Sequence, residues 1–175
     1  KNFRKFNKKP LIHWTIKAAK NSKCFDKIIV STDSTKIQNY SKKMKVDCPF
    51  LRKKKLSGDK SSMHDVVLDV LKYCEKKNYH PNVVVLLQPT SPLRDVDDIK
   101  KSCNIFKKLK PDSLVTITKI SHNFNPENLY LIKKRFLINL DKKNKRLKQR
   151  QDLKTLYARN GASIYMTSIR KIKKY

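Results

Sequence analysis

Val83-Val84-Val85-Leu86-Leu87 runs straight into Gln88-Pro89-Thr90-Ser91-Pro92-Leu93-Arg94, followed by Asp95-Val96-Asp97-Asp98. Five apolar residues without alternation predict a strand covered on both faces, as at the centre of a parallel sheet. The aspartates predict a helix opening just after, because a helix's first turn favours negative charge. Ile99, Cys103 and Phe106 would line its inner side, and Ser113–Thr118 reads as the next strand.

The same rhythm extends towards the N-terminus. Pro10 suits a first helical position, and a helix is predicted from there to about Ser22, with Leu11, Trp14, Thr15 and Ala18 on one face. Ile28-Ile29-Val30 reads as a short buried strand. Thr32-Asp33-Ser34 offers caps for a helix whose inner face carries Ile37, Tyr40 and Met44. Val46–Leu51 is extended but interrupted by Pro49. Beyond Gly58, Ser62 and Asp65 resemble a capping box for a helix whose apolar stripe is Val66, Val67, Val70, Leu71 and Cys74. This alternation predicts an α/β fold with a doubly wound, mostly parallel sheet, and residues 1–175 as a single domain. The rhythm breaks after Lys119. Residues 120–159 hold short extended pieces at Leu129–Ile132 and Phe136–Leu140 and a basic loop, read as an arm or hairpin. A strand returns at Ala162–Met166.

Net charge is +29, and 35 of the 43 basic residues are Lys. Such a charge suits a nucleic-acid binder, and a basic nucleic-acid-binding domain is the alternative from another functional class. The charge is spread along the chain, however, without an Arg-rich or aromatic-interleaved stripe. A solvated lysine surface is the simpler reading, and no nucleic-acid partner is expected. Cys24, Cys48, Cys74 and Cys103 lack metal-knuckle spacing and are expected as free thiols. No stretch reaches the roughly 18 apolar residues of a membrane span, and no signal-peptide pattern opens the chain, so a cytoplasmic location is expected. Gly58 and Gly161 are the only glycines. Either the fold needs few left-handed turns, or a glycine-bearing loop lies outside the chain.

In open α/β sheets, ligands bind beyond the carboxyl ends of strands. Two such ends stand out: Ser31-Thr32-Asp33 and the stretch 88–94, where an amide, two hydroxyls and a guanidinium are held by two prolines. The second is either a polar ledge fit for a sugar or a turn leading into the next helix.

Leu86-Leu87-Gln88-Pro89-Thr90-Ser91-Pro92-Leu93-Arg94 resembles the signature of the acylneuraminate cytidylyltransferases, the CMP-sialic acid synthetase family. Collinear, weaker matches accompany it: Lys1-Asn2, Pro10-Leu11-Ile12 with Trp14-Thr15-Ile16, Phe25 to Asp33, Pro49-Phe50-Leu51-Arg52, Arg150-Gln151-Asp152, and Arg159-Asn160-Gly161-Ala162 with Ile164-Tyr165. The resemblance implies a nucleotide-diphospho-sugar transferase-like, Rossmann-like fold with a dimerisation and sugar-binding arm at 120–159, and hence a homodimer. It implies that the anomeric hydroxyl of a nine-carbon keto-sugar acid attacks the α-phosphate of CTP and pyrophosphate leaves, supplying CMP-sugars for lipopolysaccharide or capsule. Legionaminic, pseudaminic and Kdo-type acids are alternative substrates.

Carried over residue by residue, Lys1 would meet the phosphates and Asn2 the nucleotide. Arg52 would contact the nucleotide, and Ser61 and Ser62 the cytosine and ribose. Gln88, Thr90 and Ser91 would bind sugar or nucleotide. Arg150 would be the catalytic cation, since its planar fork grips two oxygens at once. Asn160 would sit in the site beside a turn permitted by Gly161, and Arg94 would be structural, tying ledge to helix. Met63 stands where the family often has a hydroxyl. The family carries a glycine- and serine-bearing loop before the Lys-Asn, and Asp residues that hold Mg²⁺ in a later stretch. Mg²⁺ is therefore expected as cofactor with ligands outside this chain, no metal ligand is assigned within it, and residues 1–175 alone are expected to be inactive.

Overall fold

The computed structural model describes residues 2–58, 61–140, 151, 154–159, 161 and 163–172. The chain divides into two compact units, Lys1–Val115 with Gly161–Tyr175, and Thr116–Asn160.

The first unit opens with a small hairpin, β1 (Lys5–Phe6) and β2 (Lys9–Pro10), and enters α1 (Leu11–Ser22). Pro10 is the N-cap rather than the first helical residue. The buried face of α1 is Ile12, Thr15, Ile16, Ala18, Ala19 and Ser22, so Leu11 and Trp14 lie to its side. Helices α2 (Thr35–Lys43) and α3 (Met63–Lys76) follow. Then come β3 (Val83–Leu86), α4 (Val96–Leu109) and β4 (Ser113–Val115). The second unit holds β5 (Ile117–Lys119), β6 (Tyr130–Lys133), β7 (Phe136–Asn139) and β8 (Tyr157–Arg159). The chain then returns to the first unit as β9 (Tyr165–Ser168) and α5 (Ile169–Ile172). Among the described residues no helix is long and apolar enough to cross a membrane.

The protein is α/β with mixed strand pairing. Parallel pairing appears where a strand–helix–strand unit was predicted around α2, as bridges Ile29↔Asp47 and Thr32↔Leu51. Val30 N–H donates to the Asp47 carbonyl at 2.7 Å, and Arg52 N–H to that of Thr32 at 2.8 Å. Pro49 has no N–H to add between these bridges. Around β3 the pairing differs from expectation. The described sheet runs β3-β9-β4, and β9 is antiparallel to both neighbours. Strands β3 and β4 therefore run parallel to each other, with the returning strand between them. β9 follows the second unit in the chain and runs in the opposite sense to both neighbours. All four β3 residues are half-buried rather than buried. The predicted strand Ser113–Thr118 is also split, since Val115 ends the first unit and Ile117 pairs with Arg159 in the second.

Two apolar clusters meet at α1. Ala18 packs with Ile99, Cys103, Phe106, Ile164 and Met166 beneath Val83, Val85 and Leu114. Ile12 and Ile16 pack with Ile37, Val30, Tyr40, Met44 and Val46. Ile99, Cys103 and Phe106 are buried as the spacing predicts, as are Val66, Leu71 and Cys74 on α3. Ser62 caps α3 through the His64 N–H at 3.2 Å and makes no reciprocal pair with Asp65. A capping box forms instead at α4, between Asp95 and Asp98.

Left-handed turns are made without glycine. Asn7, Lys8, Lys23, Lys45, Asn78, Lys110, Lys134 and Arg135 all have positive φ, alongside Gly161 at 48°. The expectation that scarce glycine means few left-handed turns is therefore overturned. A side chain there costs about 1 kcal/mol or more against glycine. Lys110→Gly, at the left-handed end of α4, is expected to raise the unfolding free energy by about 0.5–1 kcal/mol in urea titrations.

Candidate functional site

The ledge begins where β3 ends. Two successive turns fold it back, with Ser91 N–H reaching the Gln88 carbonyl at 3.4 Å and Arg94 N–H the Ser91 carbonyl at 3.3 Å. Arg94 is 6% exposed and spends its guanidinium internally. Nε donates to the Ser163 carbonyl at 2.6 Å, Nη2 to the Gln88 carbonyl at 2.8 Å, and Nη1 to Thr15 Oγ1 at 3.5 Å. One side chain thereby ties the ledge to α1 and to the approach of β9. Burial lowers its pKa to about 10, partly countered by Asp98, so it stays charged at neutral pH. Arg94 is a structural residue, as the sequence reading held.

With Arg94 occupied below, the outer side chains are uncommitted. Among the described residues, Gln88, Thr90 and Ser91 make no side-chain hydrogen bond, and Thr90 is exposed at the turn. An amide and two hydroxyls are thus presented on a stiff backbone.

A second group forms after the parallel bridge. Arg52 N–H is held by Thr32. Its Nε donates to Ser57 Oγ at 3.3 Å, and Nη2 lies 3.9 Å from Asp33 Oδ1, a loose ion pair that leaves donors over. Ser61 is turned inward, its hydroxyl donating to the Lys55 carbonyl at 3.2 Å and its N–H to the Gly58 carbonyl at 2.9 Å. Ser62 spends its hydroxyl on the α3 cap. The structure therefore joins Arg52 and Ser61 in one organised loop and gives Ser61 and Ser62 structural work.

Asn2 lies against the first turn of α1, its carbonyl accepting the Ile12 N–H at 3.2 Å. Its side chain makes no hydrogen bond among the described residues. Ledge and N-terminal segment thus converge on one helix, through Thr15 and Ile12. Lys1, Arg150 and Asn160 lie outside the described residues. No group of three or more His, Cys, Asp or Glu able to hold a metal ion occurs among the described residues.

The second unit contains a cavity of about 530 Å³, lined by Lys119, Ser121, His122, Asn125, Gln151 and Lys154 among others. Among the described lining residues are two cations and several amides and hydroxyls, which suits an anion. Sequence reasoning passed over Lys119 and Lys154, indistinguishable among 35 lysines, and did not single out His122. The Asn125-Pro126 pair was the available signal: Asn125 is buried, and its Nδ2 donates to the Lys154 carbonyl at 3.4 Å, fixing the two walls together.

Comparison with known proteins gives the family. The chain is 37% identical over 121 residues to the CMP-N,N'-diacetyllegionaminic acid synthase of Legionella pneumophila, covering 69% of this chain and 52% of that protein. It is 30% identical over 168 residues to the pseudaminic acid cytidylyltransferase of Campylobacter jejuni, covering 96% and 72%. It is 34% identical over 113 residues to the N-acylneuraminate cytidylyltransferase of Escherichia coli, covering 63% and 26%. The solved CMP:2-keto-3-deoxy-manno-octonic acid synthetase, complexed with CTP, superposes with a TM-score of 0.71 over the whole chain and 70% of its own length; at 12% identity that likeness concerns the fold. The cytidylyltransferase family model matches residues 1–173, and the chain belongs to that family.

Proposed function

We propose that the protein carrying this chain is a CTP-dependent cytidylyltransferase whose acceptor is a nine-carbon keto-sugar acid of the sialic, legionaminic or pseudaminic type. The acceptor's anomeric hydroxyl forms a new O–P bond to the α-phosphorus of CTP. The α–β phosphoanhydride breaks, and pyrophosphate leaves. In such transfers positioning and charge stabilisation do most of the work. Gln88, Thr90 and Ser91 orient the reactants, while Arg52 and Asn2 hold the nucleotide with Lys1 and Asn160. Arg150 stabilises charge on the transferring phosphoryl group. Mg²⁺ serves as cofactor, held by groups outside the described residues, and the enzyme works in the cytoplasm. The observation that carries this reading is the ledge: a proline-stiffened set of uncommitted polar side chains, held from below by a buried arginine that takes no part in binding.

The test is pyrophosphate release from CTP by the whole protein with N-acetylneuraminic, legionaminic, pseudaminic and Kdo acids in parallel. Turnover with at least one nine-carbon acid is expected. Absence of turnover with all four, combined with tight, salt-sensitive RNA or DNA binding, would overturn the proposal in favour of the nucleic-acid reading.

The hairpin β6–β7 supports a homodimer. Lys134 and Arg135 make its two-residue left-handed turn. Ile132 is 80% exposed and Phe136 74%, while Leu131 and Leu137 are also exposed, so both faces of the ribbon carry bare apolar side chains. A two-stranded ribbon is marginal alone in water, and an exposed apolar patch calls for a cover. Light scattering at micromolar concentration is expected to show a dimer that Ile132→Asp with Phe136→Asp converts to monomer; a wild-type monomer would defeat this part of the proposal.

A further inference from the structure

Residues 3–9 are all exposed, yet the segment is pinned in place by directed contacts rather than by burial. Leu11 N–H donates to the Arg4 carbonyl at 2.9 Å and Ile12 N–H to that of Asn2 at 3.2 Å. Asn7 and Lys8 close the two-residue turn of β1–β2 in left-handed conformation. The indole Nε1–H of Trp14 donates to the Phe6 carbonyl at 2.9 Å, while the Phe6 and Trp14 rings meet edge to face at 6.3 Å. Phe3 meets Tyr40 of α2 edge to face at 5.8 Å. Between these two clasps lies His13, in contact with both the Trp14 and Tyr40 rings. Its Nδ1 is 3.0 Å from the Tyr40 hydroxyl. Burial, then the nearby Lys9 and Lys17, hold the His13 pKa below its usual value, which keeps Nδ1 able to accept that hydroxyl near neutral pH. Lys17 stacks on the opposite ring of the latch, 5.8 Å from the Trp14 centroid.

We infer that Trp14 and Tyr40 are positioning residues for the nucleotide: through Phe6 and Phe3 they fix the segment that presents Asn2 beside α1. The inference rests on the function proposed above. Neither residue needs to touch the ligand. Without the latch, the exposed segment keeps its hairpin pairing and the hydrogen bonds at the helix entrance, and part of CTP's binding free energy is spent ordering it. The Phe6 clasp and the Phe3 clasp sit on different helices, so each constrains the segment from a separate side. The same helix α1 carries Thr15, which anchors the ledge through Arg94. Rotation of the segment about α1 would therefore change the spacing between Asn2 and Gln88.

The experiment is steady-state kinetics of the whole enzyme with Trp14→Phe, which removes the indole hydrogen bond to the Phe6 carbonyl, and Phe3→Leu, which removes the ring that meets Tyr40. KM for CTP is expected to rise about three- to tenfold, the worth of one such contact in an equilibrium. KM for the sugar acid and kcat are expected to stay within twofold, with an unchanged melting temperature. A parallel titration reads emission from Trp14, the only tryptophan of this chain. CTP is expected to change it, measured as wild type minus Trp14→Phe so that any other tryptophan cancels. Wild-type turnover with no shift in KM for CTP in either variant overturns the inference and leaves the proposed function standing. All parameters falling together with the melting temperature also overturns it, by showing a purely structural role. A wild-type protein that neither binds nor turns over CTP overturns the proposed function, and this inference with it.

Discussion

Arg94→Ala is expected to lower the unfolding free energy by about 3 kcal/mol. The guanidinium saturates the carbonyls of Ser163 and Gln88 and reaches Thr15 Oγ1 from a site that is 6% exposed. Truncation leaves two carbonyls in poorly solvated positions, at about 1–3 kcal/mol for each unmet group, and opens a cavity where the side chain packed. Against this stands relief from burying a charge, whose cost is visible in a pKa lowered to about 10. The unmet acceptors and the void outweigh that relief. Urea unfolding reads the change, and at this chain length about 3 kcal/mol corresponds to a melting point lower by roughly 6–12 °C. Arg94→Lys is expected to recover only part of the loss, because one ammonium cannot span acceptors from three parts of the chain. A loss under 1 kcal/mol for Arg94→Ala would show that the ledge is held by its prolines and turns alone.

Arg150→Ala is expected to lower kcat by about a thousandfold with little change in stability. A cation aimed at the charge developing on a transferring phosphoryl group is worth about two to three powers of ten or more in rate. Arg150 also ends a basic run, so a generic contribution of charge must be separated from a specific one. Lys148→Ala removes the same unit charge two residues away and is expected to leave kcat within twofold. Arg150→Lys is expected to recover part of the rate, keeping charge without the bidentate fork. The measurement is pyrophosphate release at saturating CTP and acceptor. Equal effects of Arg150→Ala and Lys148→Ala would reduce Arg150 to one more surface charge and remove it from the mechanism.

Much of the first unit was readable residue by residue. Ile99, Cys103 and Phe106 recur at helical spacing and are buried; Ile37, Tyr40 and Met44 face one cluster together. Local chemistry misled in small ways. Ser62 had a partner of the right type in Asp65, but its hydroxyl accepts from His64 N–H. The capping box formed where Asp95 and Asp98 were read only as favourable charge. The cavity of the second unit was not legible, because its lysines carry no mark among so many others and its walls come from stretches about 30 residues apart.

By itself, the sequence determined the four longer helices of the first unit and its strand β3, where a polar ledge follows an apolar strand, and to which family the chain belongs. Those features depend on periodicity and on short runs whose chemistry is local. Only the tertiary structure decided that β9 enters between β3 and β4 against their direction, that Arg94 faces inward to three acceptors while Gln88 does not, and that an aromatic latch pins the N-terminal segment. Each of these is set by partners distant along the chain, and pairing direction and side-chain commitment follow from which surfaces meet rather than from what either stretch prefers alone.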